Sequence, residues 1–205
     1  MGISLMETPS VAVLFARKDS VYKTLTDCDV WDIERDARRW SGGQPIVAHP
    51  PCRAWGRLRK LANPRPDEKA LALWAVDQVR TFGGVLEHPS ASLLWPVAGL
   101  PSPSCGMDKW GGWTLPISQR WFGHRAEKST FLYIVGCNSK KLPIMPLALG
   151  EASHVCGTSG RRRDGSRLHK GDLGWRPEIT KTEREATPAA FAVWLVELAK
   201  LCRGQ

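Results

Sequence analysis

The chain has 205 residues, of which 42% are hydrophobic and 24% are charged, and its formal net charge is +9. This length and apolar content predict one domain, residues 1–205, with a full hydrophobic core. No run approaches the 18 apolar residues that a membrane span needs, and no secretory leader is evident. We therefore expect a cytoplasmic protein without a membrane partner. The positive charge favours a polyanion, and nucleic acid is the commonest such partner.

Apolar runs separated by breaking residues predict alternating strands and helices. Strands are expected at residues 11–16, 29–33, 45–48, 85–87 and 131–135. Helices are expected at residues 21–25, 34–40, 66–82 and 187–201. Residues 96–118, rich in Pro, Gly and Trp, predict a long loop, and the Gly- and Arg-rich residues 157–174 predict a mobile one. The alternation is typical of an α/β fold with a doubly wound, mostly parallel sheet.

The most informative segment, residues 46–56, places a cysteine directly after two prolines. Proline lacks a backbone donor and has a fixed φ, so Pro50 and Pro51 end the strand and leave Cys52 on a stiff loop. Open α/β sheets bind their ligands at such strand ends. A thiolate there can attack an electrophilic ring carbon and later be expelled. The alternative interpretation is a buried structural cysteine after a proline turn.

Carboxylates follow two other strands of the predicted sheet. Asp32 and Glu34 come after the second strand, and Glu87 comes after the fourth. Because the carboxyl ends of parallel strands share one edge, these acids and Cys52 are expected to line one cleft. The position of Asp32 suits ribose hydroxyls, and Glu87 is placed to protonate a ring nitrogen while the sulfur attacks the neighbouring carbon. For Asp32 and Glu34, a solvated helix start is an equally open interpretation.

In these residues the chain resembles the DNA cytosine-5 methyltransferases. Their nucleophile motif, a strand followed by Pro-Pro-Cys, is matched by residues 50–52, and the acid of their Glu-Asn-Val motif is matched by Glu87. Their Leu-Phe-Ala motif is present at residues 14–16, and their cofactor acid is matched by Asp32. Their late motif with Gln and Arg residues is echoed within residues 123–136. The compact arrangement is also similar to that of small methyltransferase-like proteins of bacteriophages, which implies a bacterial host cytoplasm.

The resemblance implies a Rossmann-like methyltransferase fold and a DNA-modifying activity. Cys52 would attack C6 of a flipped cytosine, Glu87 would assist at N3, and C5 would take a methyl group from S-adenosylmethionine. The catalytic residues implied are Cys52, Glu87, Arg125 and Lys128. The cofactor-binding residues implied are Phe15, Asp32, Ile33 and Pro50.

Two segments depart from the family pattern. The family has a glycine-rich turn after Phe-Ala, whereas residues 17–20 read Arg-Lys-Asp-Ser. Side chains there crowd a close backbone approach, and the two cations suit an anion, so we expect weak S-adenosylmethionine binding. Only a loop-rich insertion, residues 137–178, stands in place of a large target-recognition domain. This predicts slight sequence readout, a single-stranded substrate or a partner that supplies specificity.

Basic side chains cluster after the nucleophile and in the insertion, where they suit phosphate groups. The nucleic-acid-binding residues predicted are Arg53, Arg57, Arg161, Arg162, Arg163, Arg167 and Lys170. The alternative is a solvated surface loop for the insertion and the polar face of a helix, ended by Pro64, for the residues after Cys52. The oligomeric state stays open.

Two other functions also stay open. The altered turn at residues 17–20 favours a related pyrimidine-modifying enzyme with another one-carbon donor or a nucleotide substrate. A non-enzymatic DNA-binding protein on a degenerate methyltransferase fold would need neither Cys52 nor Glu87. The loose pairs of His49 with Cys52 and of His154 with Cys156 fall short of the four ligands of a structural zinc site, so we expect no metal. The spread of the six cysteines favours reduced thiols.

Overall fold

The structure, a computed structural model, describes residues 10–57, 59–148 and 150–202. Its strands are β1 (Val11–Ala16), β2 (Cys28–Asp32), β3 (Ile46–Ala48), β4 (Gly84–Pro89), β5 (Trp113–Ser118) and β6 (Ser129–Val135). Its α-helices are α1 (Glu68–Phe82), α2 (Leu94–Val97), α3 (Lys181–Glu185) and α4 (Ala189–Lys200). Short 3₁₀ turns are formed by Val21–Thr24, Ala37–Arg39, Gln119–Phe122 and Ser139–Lys141.

The six strands form one sheet in the order β2-β1-β3-β4-β6-β5. The first four strands are parallel, β6 runs antiparallel to β4, and β5 runs antiparallel to β6. The predicted α/β class with a mostly parallel sheet is therefore confirmed. The reversal of β6 brings the connection between β5 and β6 to the edge at which the parallel strands end.

Helices cover both faces of the sheet, which explains why the central strands are apolar at successive positions. Val11 and Val13 of β1 pack in the core beneath α4, whereas Ala12 and Leu14 pack on the opposite face beneath α1. The two cores are thus separated by the sheet itself. The strands β1, β3 and β4 are held rigidly between them, so that the residues following these strands have fixed positions.

The strand order places a topological switch point between β1 and β3. From β1 the chain continues to β2 on one side and then returns to β3 on the other side. In open α/β sheets, the crevice outside the carboxyl ends of two such strands is the usual ligand site. Here that crevice lies between the residues after Ala16 and the residues after Ala48.

Two sequence predictions of secondary structure are wrong. Residues 96–118 are not a loop throughout, because Trp113–Ser118 form β5. This strand contains Pro116 and lies at the sheet edge, where proline is tolerated because one side of the strand has no partner. The helix expected over residues 34–40 is reduced to the turn Ala37–Arg39, because Asp36 has a φ of 55° that an α-helix does not contain.

No helix within the described parts of the chain is long and apolar enough to cross a membrane.

Close approach of β3 to β4 requires glycine at position 84. Gly84 has a φ of 125°, and a Cβ there would overlap the carbonyl oxygen of Ile46 and lie 2.5 Å from its amide nitrogen. We expect Gly84→Ala to lower the free energy of unfolding by more than about 3 kcal/mol, because strain and overlap add. Urea denaturation followed by tryptophan fluorescence measures this loss.

Gly43→Ala is the matched control, because Gly43 has a φ of 97° but open space around the position of a Cβ. It should lose only about 1 kcal/mol from backbone strain. Equal losses in the two variants would show that β3 moves aside without cost.

Candidate active site

The different lengths of β3 and β4 place His49 beside Glu87. Ala48 is the last residue of β3 and pairs with Leu86, while β4 continues to Pro89. The next residues on the two strands are therefore neighbours, and Nδ1 of His49 lies 3.0 Å from Oε2 of Glu87. Both side chains are largely buried, with exposed fractions of 13% and 14%.

A polar network surrounds this pair. The Tyr22 hydroxyl lies 2.9 Å from Nε2 of His49. On the other side, the amide of Gln119 donates to Oε1 of Glu87 at 3.2 Å and to the hydroxyl of Thr130 at 3.1 Å. Both oxygens of Glu87 are thus engaged, Oε2 by His49 after β3 and Oε1 by Gln119 after β5.

The network keeps Glu87 ionised. Removal from water favours the neutral acid, but the hydrogen bond from His49 and the electrostatic interactions with His49, Lys128 and His88 outweigh it and lower the pKa of Glu87 to about 2. In the free protein Glu87 is therefore a carboxylate at neutral pH. Such a group is suited to stabilise a protonated ring nitrogen, but it does not hold the proton beforehand, which refines the role expected from the sequence.

Cys52 lies exposed on the loop after β3. Its carbonyl accepts the amide hydrogens of Trp55 and Gly56 at 3.0 and 2.8 Å, which winds the following residues into a turn. Arg53 pairs with the fully buried carboxylate of Glu68 at the start of α1. The loop is thus fastened immediately after the cysteine, and Arg53, predicted to bind nucleic acid, is engaged in this anchor.

The electrostatic environment of Cys52 is shared with Glu87. Partial removal from water and then the negative charge of Glu87 raise the pKa of the Cys52 thiol, while Lys128 acts in the opposite sense. Lys128 lies between β5 and β6 and donates to the carbonyl oxygen of Ala186 at 3.2 Å. The structure therefore brings three of the predicted catalytic residues, Cys52, Glu87 and Lys128, within electrostatic range of one another.

Arg125 is placed differently from the other predicted catalytic residues. Its guanidinium is exposed, pairs with Glu183 of α3, and lies 3.1 Å from Nε2 of His154. These contacts fasten the insertion and α3 to the connection between β5 and β6.

Phe15 marks the crevice at the switch point. It lies at the end of β1 with a φ of 63°, a strained value for an aromatic residue, and packs edge-on against Trp74. Strain of this kind concentrates at ligand sites. Pro50, across the crevice, is buried, and Ile33 after β2 is 59% exposed. An apolar surface is thus available near the ends of three strands.

Asp32, the predicted ribose ligand, is buried and already engaged. Its Oδ1 accepts the amide hydrogens of Glu34 and Arg35 at 2.9 and 3.2 Å, and its Oδ2 accepts from Lys23 at 2.6 Å. The hydrogen bond from Lys23 lowers the pKa of Asp32 despite its removal from water. A ribose contact with Asp32 requires Lys23 to move, and Glu34 is the more exposed carboxylate nearby.

The turn at residues 17–20 is closed by ion pairs. Arg17 pairs with Asp19 at 2.8 Å and reaches Glu185 of α3 at 3.5 Å. Lys18 pairs with Glu34 at 2.6 Å. The family pattern has glycines in this turn, whereas this chain has two cations, and both of them are paired with carboxylates.

The basic part of the insertion forms a small hairpin in which Arg161 bridges to Arg167. The guanidinium of Arg162 pairs with Asp172 at 2.5 Å. The backbone amide of Arg162 donates to the carbonyl oxygen of Ser166 at 2.8 Å. The exposed cations of this region are Arg161, Arg162, Arg163, Arg167 and Lys170, and Arg57 is exposed on the loop after Cys52.

The insertion is attached at the edge of the sheet that carries Cys52. The amide of His154 donates to the carbonyl of Arg125 at 3.2 Å, and Val155 bridges to Glu178. Arg125 precedes β6, whose first residues pair with the last residues of β4. The hairpin and the nucleophile loop are therefore both attached at the carboxyl end of the parallel strands.

The sequence did not predict the network around Glu87, in which His49 and Gln119 contact the carboxylate and Tyr22 contacts His49. His49 was considered only as a loose metal ligand, and the described residues contain no group of three or more His, Cys, Asp or Glu side chains that could hold a metal ion. The signal for His49 was its position, one residue after β3, opposite the acid on β4. Tyr22 and Gln119 carry no such signal, because turns and a reversed strand bring them to the site.

Comparison of the chain with protein-family models, with curated proteins and with solved structures returned no match.

The shared electrostatics of Cys52 make a prediction for its reactivity. Glu87→Gln removes a negative charge that disfavours the thiolate, so Cys52 should be alkylated by iodoacetamide about three- to tenfold faster at pH 7.5. Lys128→Gln should slow the alkylation. Peptide mass spectrometry measures both rates, and the exposed Cys105 in the same samples is the internal control. If neither substitution changes the alkylation rate of Cys52, the charges of Glu87 and Lys128 do not influence the ionisation of its thiol.

Proposed function

We propose that this chain is a DNA-modifying enzyme of the cytosine-5 methyltransferase type. The observation that carries the proposal is the placement of Cys52 and Glu87 on neighbouring parallel strands. Cys52 lies on the loop that follows β3, and Glu87 lies near the end of β4. The positive charge of Lys128 acts on the thiol and on the carboxylate. A nucleophile and a fixed carboxylate at one sheet edge are the groups that covalent activation of a pyrimidine needs. A protein that only binds DNA needs neither.

In the proposed reaction, the cytosine leaves the base stack, because its ring carbons are out of reach within a duplex. The Cys52 thiolate forms a bond to C6, and the ring electrons move towards N3, which takes up a proton. The Glu87 carboxylate stabilises that N3–H. C5 then takes the methyl group from its donor, gives up its own proton to a water molecule, and restores the double bond to C6 as the sulfur leaves as thiolate. N3 then returns to solvent the proton that it took up from solvent in the first step.

S-adenosylmethionine, when bound, would supply the methyl group. The crevice between β1 and β3 fits it at one end, where the half-buried Phe15 and the exposed Ile33 offer apolar surface. At the other end, Arg17 would meet its carboxylate only by exchanging Asp19 or Glu185. The expected affinity is therefore weak.

The same closed turn favours a second candidate. A pyrimidine-modifying enzyme with another one-carbon donor, or one acting on a free nucleotide, would use Cys52 and Glu87 in the same way. Arg17 and Lys18 would then be available to an anionic group of that donor or nucleotide after exchange of their partners.

Covalent capture tests the leading proposal. On DNA containing 5-fluorocytosine and with S-adenosylmethionine present, the protein should form a denaturant-stable adduct, because fluorine at C5 cannot leave as a proton. Cys52→Ala should abolish the adduct, whereas Cys105→Ala, at another exposed cysteine, should retain it. Glu87→Gln should slow capture by about 10²- to 10⁴-fold, the range for a positioned acid or base.

Gel electrophoresis under denaturing conditions measures the adduct. Capture by Cys52→Ala would remove this residue from the mechanism. Capture that needs a different donor would support the second candidate, and DNA binding without any capture would support a protein that only binds.

The exposed arginines of the hairpin predict salt-sensitive DNA binding. Arg161→Ser/Arg163→Ser should flatten the log–log salt dependence on duplex DNA by about 0.9 for each phosphate that the variant no longer neutralises. Arg162 is retained, because its pair with Asp172 stabilises the hairpin. Fluorescence anisotropy over a salt series measures the slope.

The matched control is Lys140→Ser/Lys141→Ser, which also removes two charges. These exposed lysines follow β6 and lie at the opposite edge of the sheet from Cys52. Equal slopes for the two double variants would show that the hairpin contributes only net charge.

A further inference from the structure

Tyr22, His49 and Glu87 form a linear array at the carboxyl end of the sheet. The Tyr22 hydroxyl is 2.9 Å from Nε2 of His49, and Nδ1 of His49 is 3.0 Å from Oε2 of Glu87. Tyr22 is fully buried beneath α4, and the other two side chains are largely buried. The array therefore engages Oε2 of Glu87, whereas Gln119 engages Oε1.

The array has one hydrogen-bonding pattern that satisfies all its members when the imidazole is neutral. A carboxylate only accepts, so Nδ1 of His49 carries the hydrogen that Glu87 receives. Nε2 then has a free lone pair, and the Tyr22 hydroxyl donates to it. Burial and the negative charge of Glu87 raise the pKa of Tyr22, so this hydroxyl keeps its proton. The hydrogen bond at one ring nitrogen thus fixes the tautomer at the other.

We propose that His49 and Tyr22 are positioning residues of the active site: His49 holds Oε2 of Glu87, and Tyr22 holds the tautomer of His49, so that Oε1 is the oxygen offered to the base. This inference rests on the proposed function, because it gives Glu87 its catalytic orientation. A positioning role for His49 differs from a purely structural role. The positioning role requires a hydrogen-bond donor at the position of Nδ1, whereas a structural role requires only the bulk of the imidazole ring.

The charges around Glu87 determine how the loss of His49 depends on pH. Lys128 faces it from the connection before β6, Cys52 lies on the loop after β3, and Glu185 of α3 acts on Cys52. His88, the next residue on β4, is neutral near pH 7 because burial lowers its pKa to about 4.

Without His49, the hydrogen bond that most lowers the pKa of Glu87 is lost, and removal from water raises this pKa against the smaller effects of Lys128 and His88. The carboxylate is then lost as the pH falls. In the intact protein the pKa of about 2 keeps it ionised throughout the usual assay range.

The experiment measures the rate of adduct formation on 5-fluorocytosine DNA between pH 6 and 8 for the intact protein and five variants. His49→Ala and His49→Gln should react about 10- to 100-fold more slowly, as for loss of a partner that orients a reactive group. The loss should grow as the pH falls. His49→Asn should restore a rate near that of the intact protein, because its amide nitrogen occupies the position of Nδ1 and that of Gln does not.

Tyr22→Phe should show a smaller loss in the same direction. Its control is Tyr133→Phe, which removes the other tyrosine hydroxyl of the chain, one that donates to Asp108 at 2.7 Å in a cluster with Arg80. Tyr133→Phe should leave the rate and its pH dependence unchanged.

The positioning role would be overturned if the intact protein forms the adduct and His49→Ala, His49→Gln and His49→Asn all form it at the same rate as the intact protein. The proposed function would then still stand. Equal losses for Asn and Gln, independent of pH, would also overturn the positioning role, because only the ring's bulk would then matter. Should the Ala variant fail to fold, the comparison of Asn with Gln decides. No capture by the intact protein would overturn the proposed function and this role with it.

Discussion

An ionised carboxylate largely removed from water dominates the edge of this sheet. Leaving such a group without partners would cost several kcal/mol, about the whole stability of a small domain. Three residues compensate the charge of Glu87. His49, after β3, and Gln119, in the turn after β5, hydrogen-bond its two oxygens. Lys128, in the connection before β6, provides a positive charge. The groups that compensate one charge therefore come from distant parts of the chain.

The reversed strand β6 is what makes this convergence possible. A further parallel strand beside β4 would have entered the sheet at the far edge, and its preceding residues would have been far from Glu87. Because β6 is antiparallel, Ser129 begins at the carboxyl edge, and Gln119 and Lys128 arrive together on the same connection. The insertion is fastened there as well, through Arg125. The same reversal thus supplies the network, a cation and the basic hairpin.

Local signals explain which parts were predictable from the sequence. The strands β1, β3 and β4 and the helices α1 and α4 have apolar runs, which Pro or Gly ends in β3, β4 and α1, and their existence was confirmed with small shifts at their ends. The strand at Trp113–Ser118 was missed, because its proline and its tryptophan- and glycine-rich surroundings are typical of loops. Its stability comes from pairing with β6, a long-range contact that no local window contains.

The candidate site divides in the same way. Cys52 and Glu87 were predicted from motifs at strand ends, and the register of β3 and β4 places them at one edge. Asp32 was also singled out, yet its oxygens are taken by Lys23 and by two amides of its own turn. A strand-end acid is equally suited to a ribose and to the turn that follows it, and only the geometry distinguishes the two uses.

The C-terminal end of α3 contacts two segments at the carboxyl edge of the sheet. Glu185 of α3 reaches Arg17 after β1, and the carbonyl of Ala186 accepts from Lys128 beside the nucleophile. The negative charge of Glu185 also contributes to raising the pKa of Cys52. Because Glu185 is the last residue of α3 and Ala186 follows it directly, one end of this helix meets the turn after β1 and the connection before β6. The charge of Glu185 therefore acts both on Arg17 and on the thiol of Cys52, which places the two sides of the candidate site in one electrostatic environment.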